Sequence, residues 1–149
     1  MFEPNDRLAR YIAPEYRQDN RRAKVTAFFD EPSEKLDGLS VNSVAIHTLN
    51  QIAAIYEKKF SVQRPISISA PTISDYNVAA ATAGVAIQRD LDSGRWTSQV
   101  DGVNLNAYEL NAKNGNESHC LVRYTSTLQR FEMLKFAHRI AYKPTFGLY

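Results

Sequence analysis

Apolar residues fall into helical spacing at two places along this chain. Between 43 and 60 they are Ala45, Leu49, Ile52, Ala53, Tyr56 and Phe60, three or four positions apart, with Asn42 or Ser43 available as cap. Between 127 and 142, Leu128, Phe131, Leu134, Ala137 and Ala141 make one apolar line, widened by Met133, Phe136 and Ile140. Lys135, Arg139 and Lys143 follow the opposite side, and Pro144 stops the run. A shorter helix is predicted over 74–83, capped by Thr72 or Ser74 and closed by Gly84. Residues 5–12 read as a brief helix capped by Asn5 and ended by Pro14.

The intervening segments carry strand patterns. Residues 24–30, KVTAFFD, are rich in β-branched and aromatic side chains, and Leu39-Ser40-Val41 is a second short strand. The alternating run 65–70 lies between prolines, which suits an edge strand, and 85–91 is another strand. Asp101-Gly102 tolerates the positive φ angles of a tight hairpin between 95–100 and 103–110. Asn114-Gly115 then leads into 118–124, so a three-stranded antiparallel meander is predicted over 95–124. Helices interspersed with short strands argue an α+β fold: a mainly antiparallel sheet, ending in this C-terminal meander, packed against two or three helices.

The 149 residues contain no repeat or linker-like stretch, so one domain over 1–149 is expected. No apolar run reaches the ~18 residues of a membrane span, and the first ten residues have no apolar signal-peptide core. One cysteine excludes an internal disulfide and a cysteine-rich zinc site. A soluble cytoplasmic protein with no membrane partner is the expectation. The net charge of +2 is unevenly spread: six basic and four acidic residues in 1–24, seven and eleven in 25–122, five and one in 123–149. Two basic ends that packed together would form a mildly basic face.

The chemistry-bearing residues narrow the choices. His119 and Cys120 are neighbours in sequence, but in a strand they point to opposite faces, so they cannot form a dyad. Cys120, beside Leu121 and Val122, reads as a small buried hydrophobe. His119 shares its face with Leu121 and Arg123, about 13 Å along the strand, and needs a partner from elsewhere. Two accounts of it stand: a proton-moving or phosphate-binding residue working with Arg123, Arg10 and Arg22, or a structural histidine at a strand start. His47 reads as a surface residue and His138 as a boundary residue; no pair of histidines has metal-ligand spacing, so no metal is expected. The six glycines write neither a P-loop nor a dinucleotide fingerprint, and no cofactor is expected; Ser40, between Leu39 and Val41, lacks a Gly-x-Ser-x-Gly elbow, which disfavours a hydrolase of that type. Arg10, Arg17, Arg21, Arg22 and Lys24 interleave with Tyr11, Tyr16 and Phe28, a composition that suits a nucleotide or single-stranded nucleic acid as well as a plain surface.

Four short stretches carry a family resemblance: Arg10-Tyr11-Ile12-Ala13-Pro14, Thr26-Ala27-Phe28-Phe29, Leu39-Ser40-Val41 and Asn116-Glu117-Ser118-His119. Through them the chain resembles a group of small bacterial α+β domains of unknown function, from which it departs at Asn42, where that group often has an acidic residue. The resemblance implies a bacterial domain from a multi-gene stress or defence locus, and no reaction. Two functional readings follow. One is a protein- or ligand-binding module that docks to another protein or its own copy, through an apolar patch near Trp96 or the terminal Phe146, Leu148 and Tyr149. The other is a nucleic-acid or nucleotide binder, or an enzyme in which His119 and the arginines meet an anionic substrate.

Overall fold

The structure is a computed structural model that describes residues 3–19, 22–28, 39–83, 99–100, 103–104, 108–110, 115–122, 130–141 and 146–148. Its strands are β1 (Leu8–Tyr11), β2 (Leu39–Ser43), β3 (Ser67–Ser69), β4 (Gln99–Val100), β5 (Val103–Asn104), β6 (Tyr108–Leu110), β7 (His119–Val122) and β8 (Phe146–Leu148). The helices are α1 (Leu49–Phe60), α2 (Ile73–Ala83) and α3 (Arg130–Ala141). Six strands lie in the order β6-β7-β2-β1-β3-β8, every neighbour antiparallel. β1 joins the two halves: Leu8 and Ala9 pair with β2, whereas Arg10 and Tyr11 pair with β3. The α+β class with an antiparallel sheet is therefore the observed architecture.

Both faces of the sheet are covered. Leu8, Leu39, Val41, Cys120 and Val122 pack with Ile73, Tyr76, Ala79 and Ala80 of α2 and with Phe136, Ala137 and Ile140 of α3. On the other face, Ala9 and Ile68 pack with Ile52, Ala53 and Tyr56 of α1. Leu8 and Ala9 are consecutive yet enter different clusters, as strand alternation requires.

Two local expectations are corrected. Residues 8–11 form a central strand, not a helix; covered on both faces, it lacks the polar alternation that marks a strand in sequence. Val25–Phe28 is a 3-10 turn rather than a strand. β1 and β2, beside it in the fold, already pair on both edges, so its strand-forming residues find no ladder, and Ala27 and Phe28 are buried in the core instead. The predicted helix over 43–60 begins later, at Leu49, and its cap is Thr48. The 65–70 strand is not at an edge, because Ser67–Ser69 pairs with both β1 and β8.

The C-terminal meander also requires correction. β4 and β5 form a separate two-stranded ribbon, while β6 pairs with β7. A strand has two edges, and β7 uses its second one on β2, which brings Cys120 and Val122 into the core beside Leu39 and Val41. The strand over 85–91, Gly84, the Asp101-Gly102 turn and Trp96 lie outside the described residues. Phe146–Leu148 is paired along β3, so the backbone of this segment is part of the sheet. Among the described residues, no helix is long and apolar enough to cross a membrane.

Candidate functional site

The α1 face of the sheet carries a row of polar residues, and alternation explains why. Leu39 and Val41 turn into the α2–α3 core, which sends Ser40 and Asn42 to the other side. Cys120 and Val122 do the same on β7, so His119 and Leu121 share the side of Ser40 and Asn42. The register places Ser40 opposite Leu121 and Asn42 opposite His119. Ser40 and His119 are then diagonal neighbours, and Ser40 Oγ lies 2.5 Å from His119 Nε2. The imidazole is nearly buried, at 4% exposure.

Asn42 is the hub of the row. Its Nδ2 donates to the Tyr56 hydroxyl at 2.6 Å, and its Oδ1 accepts from Asn116 Nδ2 at 2.8 Å. Longer contacts reach the Ala9 carbonyl at 3.5 Å and Ser118 Oγ at 3.4 Å. An amide supplies both a donor and an acceptor there without burying a charge, which a carboxylate would not.

Tyr56 links this network to an aromatic wall. Tyr11, Tyr56 and Phe60 lie near-parallel, with ring centroids 5.1, 5.3 and 5.9 Å apart. The Lys59 ammonium is 5.2 Å from the Phe60 centroid and 6.0 Å from that of Tyr56. Phe60 is 48% exposed, the most exposed of the large apolar side chains among the described residues. Burial, and after it the Glu15 carboxylate, holds the Tyr11 phenol above its ordinary pKa despite Arg17, so it is neutral at pH 7.

Tyr56 and Lys59 line two concavities. One, of about 410 Å³, is lined by Arg10, Tyr11, Tyr16, Ser40, Tyr56, Lys59 and Phe60 among others. The second, of about 740 Å³, is bounded by Lys58, Lys59, Tyr56, Gly115, Asn116 and His119 with Ala54 and Ile55. Gly115 has φ +80°, the left-handed conformation that lets the chain turn toward Asn116. Ser40 is among the residues lining the first hollow and His119 among those lining the second, and the two side chains are in hydrogen-bond contact.

The residues singled out in sequence that the structure describes take different places. Arg10 lines the first concavity, where its guanidinium donates to the Ala27 and Ser40 carbonyls, both at 2.6 Å. Arg22 is exposed and 3.3 Å from Asp19, and it is not among the residues lining either concavity. Arg123 lies outside the described residues. Cys120 is fully buried, and burial pushes its thiol up to about 12. His47 approaches Glu117 at 3.6 Å in the turn before α1, and His138 is exposed on α3. Among the described residues, no three metal-ligating side chains gather.

Lys59 and the exposed face of Phe60 were missed in the sequence, and Ser40 was set aside for want of a nucleophile elbow. Tyr56 and Phe60 were read as core because they keep the apolar spacing, yet an aromatic pair four apart with a lysine between also marks a wall. Comparison with protein-family models, curated proteins and solved structures finds no match to this chain.

Proposed function

We propose that this chain is a ligand-binding module whose aromatic groove takes a flat ring bearing negative charge, with nucleotides as the ligand class. The observation that carries this reading is the wall of Tyr11, Tyr56 and Phe60 with the Lys59 ammonium beside it. Aromatic faces accept a base by stacking, and a neighbouring ammonium attracts its phosphate. A groove of about 410 Å³ has room for a single base and sugar. This is the nucleotide-binding alternative raised by the sequence, with Lys59 and Arg10 as the local cations in place of a ring of arginines. On the family resemblance, such a module would serve within a multi-gene stress or defence system.

Calorimetric titration with nucleoside monophosphates and short single-stranded RNA tests the reading. Phe60→Ala should weaken binding roughly 5- to 150-fold, the equivalent of losing ~1–3 kcal/mol of stacking per base. Lys59→Gln should lower the slope of log affinity against log salt by about one. Absence of saturable binding at low ionic strength, or equal affinity in Phe60→Ala, would overturn it.

A further inference from the structure

We propose that Ser40 and His119 form a nucleophile–base pair that hydrolyses a carboxylic ester whose flat ring sits in the aromatic groove. Three observations meet here. Ser40 Oγ and His119 Nε2 are at hydrogen-bond distance, 2.5 Å. Ser40 lines the groove of about 410 Å³, where an ester carbonyl could reach it. The imidazole is almost wholly buried and comes from a different strand, so the sheet ladder, and no flexible loop, sets its position. A hydroxyl with a fixed base in contact is the minimal arrangement for covalent catalysis by serine. The groove reading is assumed for the substrate's ring but not for the chemistry at Ser40.

The step balances with water as the co-reactant. In the tautomer with its proton on Nδ1, His119 Nε2 accepts the Ser40 proton as Oγ bonds to the acyl carbon. Collapse of the tetrahedral adduct breaks the bond to the leaving oxygen, which takes the proton from Nε2. Water then attacks the acyl-serine with His119 accepting its proton, and Ser40 Oγ recovers that proton as the acid leaves. Arg10 acts as a positioning residue: its 2.6 Å bond to the Ser40 carbonyl fixes the backbone that aims the hydroxyl.

The competing account is a cross-strand bond that merely satisfies a buried imidazole, and it requires an unreactive hydroxyl. Diisopropyl fluorophosphate, followed by intact mass and peptide mapping, separates the two. The wild-type protein should gain one adduct, mapped to Ser40, and Ser40→Ala should gain none. His119→Gln, checked for folding by its melting transition, should label at least about a hundredfold more slowly. If that variant does not fold, the mapped wild-type adduct and its loss in Ser40→Ala still decide the matter. A wild-type protein without an adduct, or with one elsewhere, overturns the proposal. The probe has no aromatic ring, so labelling succeeds or fails independently of nucleotide titration of the wild-type protein. Turnover of p-nitrophenyl acetate that is abolished in Ser40→Ala is the second expected result.

Discussion

Replacing Asn42 by alanine tests whether the polar row on the α1 face holds the fold together. The side chain is fully buried and makes two short hydrogen bonds, at 2.6 Å to Tyr56 and 2.8 Å from Asn116. Its contacts at 3.4 and 3.5 Å are too long to count at full weight. Each lost bond costs ~1–1.5 kcal/mol, more where the partner stays buried and unpaired. Tyr56 is only 8% exposed and has little access to water, whereas Asn116 is partly exposed and can turn to water. The expected loss is therefore about 3 kcal/mol. For a chain of this length, ~1 kcal/mol moves the melting temperature by roughly 2–4 °C, so the shift should be roughly 6–12 °C. Thermal and urea unfolding followed by circular dichroism measure it, with exposed Asn50→Ala as the control expected within ~0.5 kcal/mol of wild type. A double-mutant cycle with Tyr56→Phe should show coupling of at least ~0.5 kcal/mol. A loss under ~1 kcal/mol in Asn42→Ala, with no coupling to Tyr56, would refute the network as a stabilising element.

Two further expectations concern single side chains. Thr48 accepts a bond from the Gln51 amide at 3.2 Å while Gln51 Oε1 accepts from the Thr48 amide at 2.8 Å, so Thr48→Ala should cost ~1 kcal/mol in urea unfolding. Because burial lifts the Cys120 thiol to about 12, the native protein should resist iodoacetamide at pH 8 and react once denatured. The same shift has a linkage sign: the unfolded thiol ionises first, so the contribution of Cys120 is complete below pH ~9 and is lost as pH rises toward about 12. Cys120→Ala should flatten that alkaline fall in stability, measured against wild type from pH 8 to 10.

How much was legible in the sequence depended on whether the deciding contacts were local. The apolar spacing of Ile52, Ala53 and Tyr56, and of Phe136, Ala137 and Ile140, is local, and those residues are buried as the spacing requires. The start of α1 was legible too, since Thr48-x-x-Gln51 is a capping box, but Ala45 fitted the apolar spacing and drew the boundary six residues early. β1 was hidden for a different reason. Its two faces are both covered, so Leu8 and Ala9 show no alternation to read.

The candidate site lies at the far end of that scale. Alternation along one strand was enough to separate His119 from Cys120, the pair that sequence adjacency suggested. The same alternation puts Ser40 on a different side from Leu39 and Val41, which could also be read from the residues alone. What no window of sequence contains is the register: Val41 opposite Cys120, and hence Ser40 diagonal to His119 across a separation of 79 residues. One step of slippage would turn His119 into the core and Cys120 toward α1. That register is held because Cys120 and Val122 complete the apolar layer with Leu39 and Val41 beneath α2 and α3. The burial of an unreactive cysteine on one face is thus what sets the histidine against the serine on the other.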